Sequence, residues 1–360
     1  MELKFFAPQV LNVPDGMSTF LDWIGLETAN YVFSKNIDEV LSQDIKIACI
    51  AVPISVQKQD LDFDPTLFDL ILVSDIEYVN LDKIISWLDR LKIKNYLLAL
   101  GGLTINTNKL PDNVIYRPWW SFNILNHNQF QETNNTDKPF LFDVLLGARK
   151  GHRDFIMAKM QTSELLKKSI VNYRDVFPPT EMTLFDIETE ISNILDGRPL
   201  LFPYVSENLN PAWEVAETVT NSVSYIVPWE IYKQTKYSVI AETEFNNSFF
   251  LTEKTTKAVF AKRLFVVFSV AGFLKNLKNL GFMTFDKIID ESYDSIEDPV
   301  KRFTAAFAQL EYLGTQDYSA IQEQIKYITE YNFQRLFSLQ QEKKEQMKQM
   351  VYNKIKELEK

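Results

Sequence analysis

Glycine, cysteine and histidine are all scarce in this chain of 360 residues, which holds 10 Gly, 1 Cys and 2 His. Neither G-x-G-x-x-G nor G-x-x-x-x-G-K-[ST] occurs, so hydride transfer by the usual dinucleotide motif and P-loop hydrolysis lose their support. The lone Cys49 excludes an internal disulfide framework and a thiolate metal cluster. It lies in the apolar run "KIACIAV" and reads as a small buried hydrophobe. Two histidines, His127 and His152, are too few for a His-rich metal site. No apolar run approaches the roughly 18 residues of a spanning helix. Positive charge is also short: 38 Lys and Arg against 48 Asp and Glu give a net charge of −10. That balance argues against a general nucleic-acid binder. The opening "MELKFFAPQVLNVPDG" carries no charged-then-apolar signal pattern, so a cytoplasmic protein is expected.

What is present is ordinary globular material, 46% hydrophobic and 24% charged, enough for two cores. The apolar runs 45–55, 67–75 and 95–102 read as buried strands, and 81–93 places Leu81, Ile84, Ile85, Leu88 and Leu91 on one helical face. Strand, helix, strand within about 35 residues suggests a βαβ unit. The piece 114–122, "VIYRPWWSF", reads as another strand, and the polar stretch 126–139 as a linker. A second alternation follows. Strands are expected at 140–147 and 169–175, helices at 152–168 and 185–195, and a helix beginning near Pro228. Residues 238–268 then supply a strand, a polar loop, a helix and a strand, with a further helix over 271–282. From Asp298 the pattern is helical. The expected layout is an α/β acceptor-side domain over 1–137, a second α/β domain over 138–317 and a helical extension over 318–360. Ligands of such sheets sit beyond the carboxyl ends of strands, near helix N-termini, so a cleft between the domains is the expected main site.

Two helix starts in the second domain carry unusual charge. Thr252 suits an N-cap, which puts Glu253 and Lys254 in the first turn. The helix dipole favours Glu there without any ligand, but not Lys, and a bound phosphate would account for Lys254. In "GARKGHRDF", Arg149, Lys150, His152 and Arg153 precede or open a helix. An anion or a solvated basic loop are the two readings of that cluster.

The segment "SVIAETEFNNSFFLTEKTTKAVFAKRLFVVF" resembles the donor-binding segment of α-1,3-fucosyltransferases. That family shows a strand ending in Phe-Glu-Asn-Ser, a short loop, a Thr-Glu-Lys triplet, a helix and a strand. Glu242 matches the first glutamate, and Glu253 with Lys254 matches the second pair. Thr243-Glu244 stands where the family has Asn-Ser, and Phe250 where it has tyrosine, as in a divergent branch. The run 272–294 resembles a segment of bacterial and phage proteins of similar layout. The resemblance implies a GT-B fold, two Rossmann-like domains facing across a cleft. It implies transfer of a sugar, fucose for one, from a nucleotide-diphosphate donor such as a GDP-sugar to a glycan or other hydroxyl acceptor. It places Arg153 and Lys254 on the diphosphate, Glu253 on the ribose, and Glu242 near the sugar or the loop that carries it.

Inverting transfer needs a carboxylate to accept the acceptor's proton. Asp75 and Glu77, after the strand "LFDLILV", and Glu27 are the candidates, each more readily read by itself as an ordinary loop acid. Of the pair Trp119 and Trp120, one could stack on a sugar. Asp60-x-Asp62-x-Asp64 precedes its strand, and Pro65 sits where a calcium loop needs glycine, so no essential metal and no further cofactor are expected. Arg149, Arg153 and Lys254 would then offset the leaving group's charge. The tail 341–360 carries Met347, Val351, Ile355 and Leu358 at helical spacing, fit to pack on the body or on a second copy as a homodimer, or more weakly on a membrane surface. A non-catalytic binding protein on the same fold and a sugar-nucleotide epimerase are the rival readings.

Overall fold

The computed structural model describes residues 3–7, 31–52, 61–75, 80–104, 110–133, 137–173, 185–207, 209, 226–246 and 248–360. The chain is α/β and divides into two units, one of residues 1–120 with 338–360, the other of residues 121–337.

The first unit is built on six parallel strands: β1 (Leu3–Phe6), β2 (Tyr31–Ser34), β3 (Ile47–Ala51), β4 (Leu70–Ser74), β5 (Tyr96–Leu100) and β6 (Val114–Tyr116). Their order in space is β2-β1-β3-β4-β5-β6, a doubly wound arrangement. β3 and β4 are near-continuous apolar runs because both faces of a parallel sheet are covered. One covering element is α1 (Leu81–Arg90), capped by the Asn80 side chain on the Asp82 N–H and burying Ile84, Trp87 and Leu88. The strand expected over 114–122 is shorter than anticipated. It ends at Tyr116, and Trp119 and Trp120 open a helix, α2 (Trp119–His127). Pro118 explains the change, since a proline is well placed just before or at a first turn and cannot extend a ladder.

The main sheet of the second unit has five strands: β7 (Phe140–Leu145), β8 (Ser169–Tyr173), β9 (Tyr204–Val205), β10 (Thr235–Ala241) and β11 (Phe265–Phe268). Their order is β9-β8-β7-β10-β11, and all pairs are parallel except β9 with β8. In chain order this reads 3-2-1-4-5, a Rossmann-like order whose reversal falls between β7 and β10. The helices that matter below are α3 (Gly151–Gln161) after β7, α4 (Glu253–Phe260) after β10 and α5 (Pro299–Leu313). The final helix, α6 (Tyr318–Leu358), starts in the second unit and ends among the residues of the first, with Met347 and Val351 fully buried. Among the described residues no helix is long and apolar enough to cross a membrane.

The polar stretch 126–139 is held down where it is described. Phe130 packs edge-on against Trp229, Phe260 and Phe333. Lys138 is buried and donates from Nζ to the carbonyls of Tyr232 (2.7 Å) and Thr235 (3.1 Å). Burial and the nearby Arg263 lower its pKa to about 7.

Beside it lies a buried ion pair. Arg263 Nη2 meets Asp143 Oδ1 at 2.7 Å, with both side chains almost wholly enclosed. The guanidinium also donates to Ser238 Oγ, Thr235 Oγ1 and the carbonyls of Tyr232 and Thr235. Asp143 Oδ1 accepts from both hydroxyls as well, and the Tyr232 ring lies under the guanidinium at 4.3 Å. A charge in the middle of the apolar strand "FLFDVLLG" is thus held by one ion pair and two hydroxyl donors.

Candidate functional site

The point where the strand order reverses lies between the carboxyl ends of β7 and β10. The chain leaves β7 through Leu146 and Gly147, whose φ of +60° is the left-handed region that glycine enters freely. It then enters α3 at Gly151, with Lys150 in the N-cap position and no side-chain cap bond. From β10 it passes through Glu242, Thr243 and Glu244 towards Thr252, the N-cap of α4.

Glu242 is wholly buried and its carboxylate is spoken for. One oxygen accepts from Thr252 Oγ1 at 2.5 Å and from the Thr243 N–H at 3.2 Å. The other accepts from Thr255 Oγ1 at 2.6 Å and from the N–H groups of Thr252 and Thr255 at 3.4 Å. The chain therefore places its own carboxylate at the N-terminus of α4, where a phosphate was expected. Glu242 is a clamp between strand and helix, not an open contact for a sugar. The clamp explains how "EKTTKAVF" holds two adjacent β-branched threonines in a helix: Thr255 bonds Glu242, and Thr256 bonds Ser121 Oγ (2.8 Å) and the Thr252 carbonyl (2.9 Å). Removing the carboxylate by Glu242→Ala orphans several buried donors and should destabilise the chain by at least ~3 kcal/mol. Hydrogen exchange read by mass spectrometry should then speed up at Thr252 and Thr255; unchanged protection there would contradict the clamp.

The second helix start is different in kind. Arg153, in the first turn of α3, is only 3% exposed. Its Nη1 donates to the Ala148 carbonyl at 2.6 Å, while its buried Nε has no hydrogen-bond partner among the described residues. Among the described residues no carboxylate forms an ion pair with it, although Glu253 and Glu242 lie near enough to favour its charged form. Burial pushes the guanidinium below its ordinary value against that attraction and that of Tyr173.

Two ammonium groups flank this arginine and meet at one residue. Lys150 Nζ donates to the Thr243 carbonyl (2.8 Å), and Lys254 Nζ donates to the Thr243 hydroxyl (3.1 Å). Lys254 also pairs with Glu253 at 2.7 Å. Burial would raise the Glu253 carboxyl, but Lys254 and Lys257 hold it below the usual carboxylate value. Lys257, one turn further along α4, is buried, and that burial lowers its pKa to about 8 against the pull of Glu253. Lys257 is a member of the cluster that the sequence reading missed. The signal was a Glu–Lys spacing of four on a helix that proves buried.

Arg149 is turned aside from this group. Its Nε pairs with Asp154 at 3.1 Å, and its guanidinium covers the Phe202 ring at 5.1 Å. Asp154 also accepts a short hydrogen bond from the Tyr173 hydroxyl. His152, counted with the basic groups, is a core residue. Its ring stacks on Phe245 at 4.3 Å and donates from Nε2 to the Glu242 carbonyl at 2.8 Å. Burial first, then the neighbouring Arg153 and Lys150, keep its pKa well below the ordinary histidine value, so the ring is neutral. A histidine at a helix start reads as basic in sequence; only packing shows it is not.

Of the general-base candidates, Asp75 follows β4, is buried, and donates its N–H to the Ala99 carbonyl at 2.8 Å. Glu27 and Glu77 lie outside the described residues. Asp64 is occupied as a cap, accepting from the Thr66 N–H (2.9 Å) and hydroxyl (2.7 Å). Among the described residues no three His, Cys, Asp or Glu side chains gather as a metal site would require.

The assembled group has donors and positive charge of the kind that suit an anion. It combines an uncapped helix start, a buried arginine with donor capacity to spare and two lysines, all at the reversal of a parallel sheet. No protein-family model matches the chain, and no curated protein matches it.

Proposed function

We propose that this protein is a glycosyltransferase of GT-B type that takes its sugar from a nucleotide-diphosphate donor. The observation that carries the reading is Arg153. A guanidinium this deeply buried, with no ion pair among the described residues and an unused Nε, is held at a cost that a bound anion would offset. Its place at the start of α3 is where a diphosphate gains both the helix dipole and a charge-assisted bond. Lys150 and Lys254 supply further positive charge, and Glu253, paired with Lys254, orients it.

The proposed chemistry is displacement at the anomeric carbon. The acceptor hydroxyl oxygen bonds to that carbon as the bond to the diphosphate oxygen breaks. The hydroxyl proton passes to a carboxylate, for which Asp75, Glu77 and Glu27 are the candidates, and the nucleoside diphosphate leaves against Arg153 and the lysines. A non-catalytic binder on the same fold is favoured by one observation: Lys254 and Arg149 already have carboxylate partners.

Thermal unfolding of the purified chain with GDP, UDP, CMP and dTDP, without added metal, tests the donor site. A ligand at a hundredfold excess over its Kd stabilises the folded state by about 2.7 kcal/mol. A shift with one nucleotide that Arg153→Ala removes is the expected result and names the base. No shift with any of the four would count against a donor site. Binding without turnover of any nucleotide sugar would favour the non-catalytic reading.

A further inference from the structure

Four carboxylates surround the site on the second unit, and three of them are occupied. Glu242 accepts five hydrogen bonds, Glu253 is paired with Lys254, and Asp154 is shared between Arg149 and the Tyr173 hydroxyl. Glu244 is the fourth. Among the described residues no donor hydrogen-bonds its carboxylate and no cation forms an ion pair with it. Yet it is half-buried, and its backbone is fixed. The Glu244 carbonyl accepts from Ser269 Oγ at 2.8 Å, just beyond the carboxyl end of β11. The next carbonyl, that of Phe245, accepts from Arg302 at 3.2 Å, and Arg302 also holds the Ser269 carbonyl at 2.9 Å. The backbone that carries this carboxylate is thus held in place from two sides.

We propose that Glu244 is a specificity-determining residue that accepts hydrogen bonds from hydroxyl groups of a phosphorylated ligand. The inference rests on the donor-site reading and deepens it. The neighbouring residue, Thr243, is the one on which Lys150 and Lys254 converge, so an anion held by those lysines brings its adjoining hydroxyls to the segment that carries Glu244. A carboxylate is the fitting acceptor, because a vicinal diol offers two O–H donors to its two oxygens. Burial raises the Glu244 carboxyl, Lys150 opposes that rise, and hydroxyl donors would satisfy the ionised form. The same carboxylate repels a bare phosphate. Glu244 therefore discriminates between a phosphate that carries hydroxyls and one that does not.

The test compares pyrophosphate, which has no hydroxyl-bearing carbon, with nucleoside diphosphates and GDP- and UDP-sugars. Each is titrated calorimetrically into wild type and Glu244→Gln. For wild type, pyrophosphate and at least one hydroxylated ligand are expected to bind. In E244Q the hydroxylated ligand should weaken at least tenfold, while pyrophosphate binds as well or more tightly. Loss with the nucleoside diphosphate places the carboxylate on the ribose; loss confined to the nucleotide sugar places it on the transferred sugar. An equal change for pyrophosphate and the hydroxylated ligands, or no change at all, would overturn the role of Glu244 and leave the donor site standing. Wild type that binds none of these ligands would overturn both. Circular dichroism of E244Q, expected to match wild type, separates a folding defect from lost recognition, and Glu244→Asp should recover part of the preference.

Discussion

Arg153→Met is expected to abolish nucleotide binding and yet leave the folded protein at least as stable. The two effects come from one fact, the unpaired burial of a charge. In the folded chain the guanidinium has lost water and gained one carbonyl, that of Ala148, on Nη1. Nothing among the described residues meets Nε. Methionine fills a similar volume without a charge to desolvate. Replacements of buried charge by apolar side chains are often neutral or stabilising by about 1–4 kcal/mol. The Ala148 carbonyl loses its partner, which takes back about 1 kcal/mol. Melting temperature should therefore hold or rise. Affinity for the nucleotide should fall at least ~100-fold, or about 2.7 kcal/mol, because a charge-assisted contact has gone. A large loss of stability with affinity intact would mean that Arg153 serves the fold and not a ligand. Proteins commonly hold strained or costly groups where they bind, so the opposite signs of the two effects are the informative pattern.

Asp143→Ala should produce the largest loss of stability of any single change considered, about 3–5 kcal/mol. The same element, a buried arginine, behaves in the reverse way at Arg263 because there it is paired. Removing Asp143 strands the guanidinium beside Lys138, a second buried cation whose pKa already sits at about 7. The hydroxyls of Thr235 and Ser238 remain, but they cannot replace a charge. Urea unfolding followed by circular dichroism measures the loss. The double variant Asp143→Leu with Arg263→Met removes both charges and should recover most of it. If the single and double variants are equally unstable, packing and not the ion pair explains the site.

Much of the architecture was legible because burial on both faces writes itself as continuous apolar sequence. The runs around Ile47–Ala51, Leu70–Ser74, Phe140–Leu145, Thr235–Ala241 and Phe265–Phe268 all became parallel strands. Thr252 was legible as a cap because its chemistry acts within two residues. The state of Glu242 was not. Its partners Thr252 and Thr255 lie ten and thirteen residues away, and no local pattern shows that their hydroxyls turn towards one carboxylate. The two tryptophans fell in a piece read as a strand, but Pro118 set a helix start instead. That Glu244 has no partner among the described residues could be seen only by elimination, once the bonds of its neighbours were known. Sequence shows which groups are present near a helix start; it does not show which of them are already satisfied.

The outer strand β9 is two residues long and runs against its neighbour. Just after it, Ser206 exchanges bonds with Val171: its N–H donates to the Val171 carbonyl at 2.9 Å, and its hydroxyl accepts the Val171 N–H at 2.8 Å. The side chain thus closes a position that another backbone could have occupied. Open sheet margins are where chains join into aggregates, and brief margins are poor templates for it. A margin this brief, its last ladder position closed by a side chain, gives a second chain little backbone to pair with.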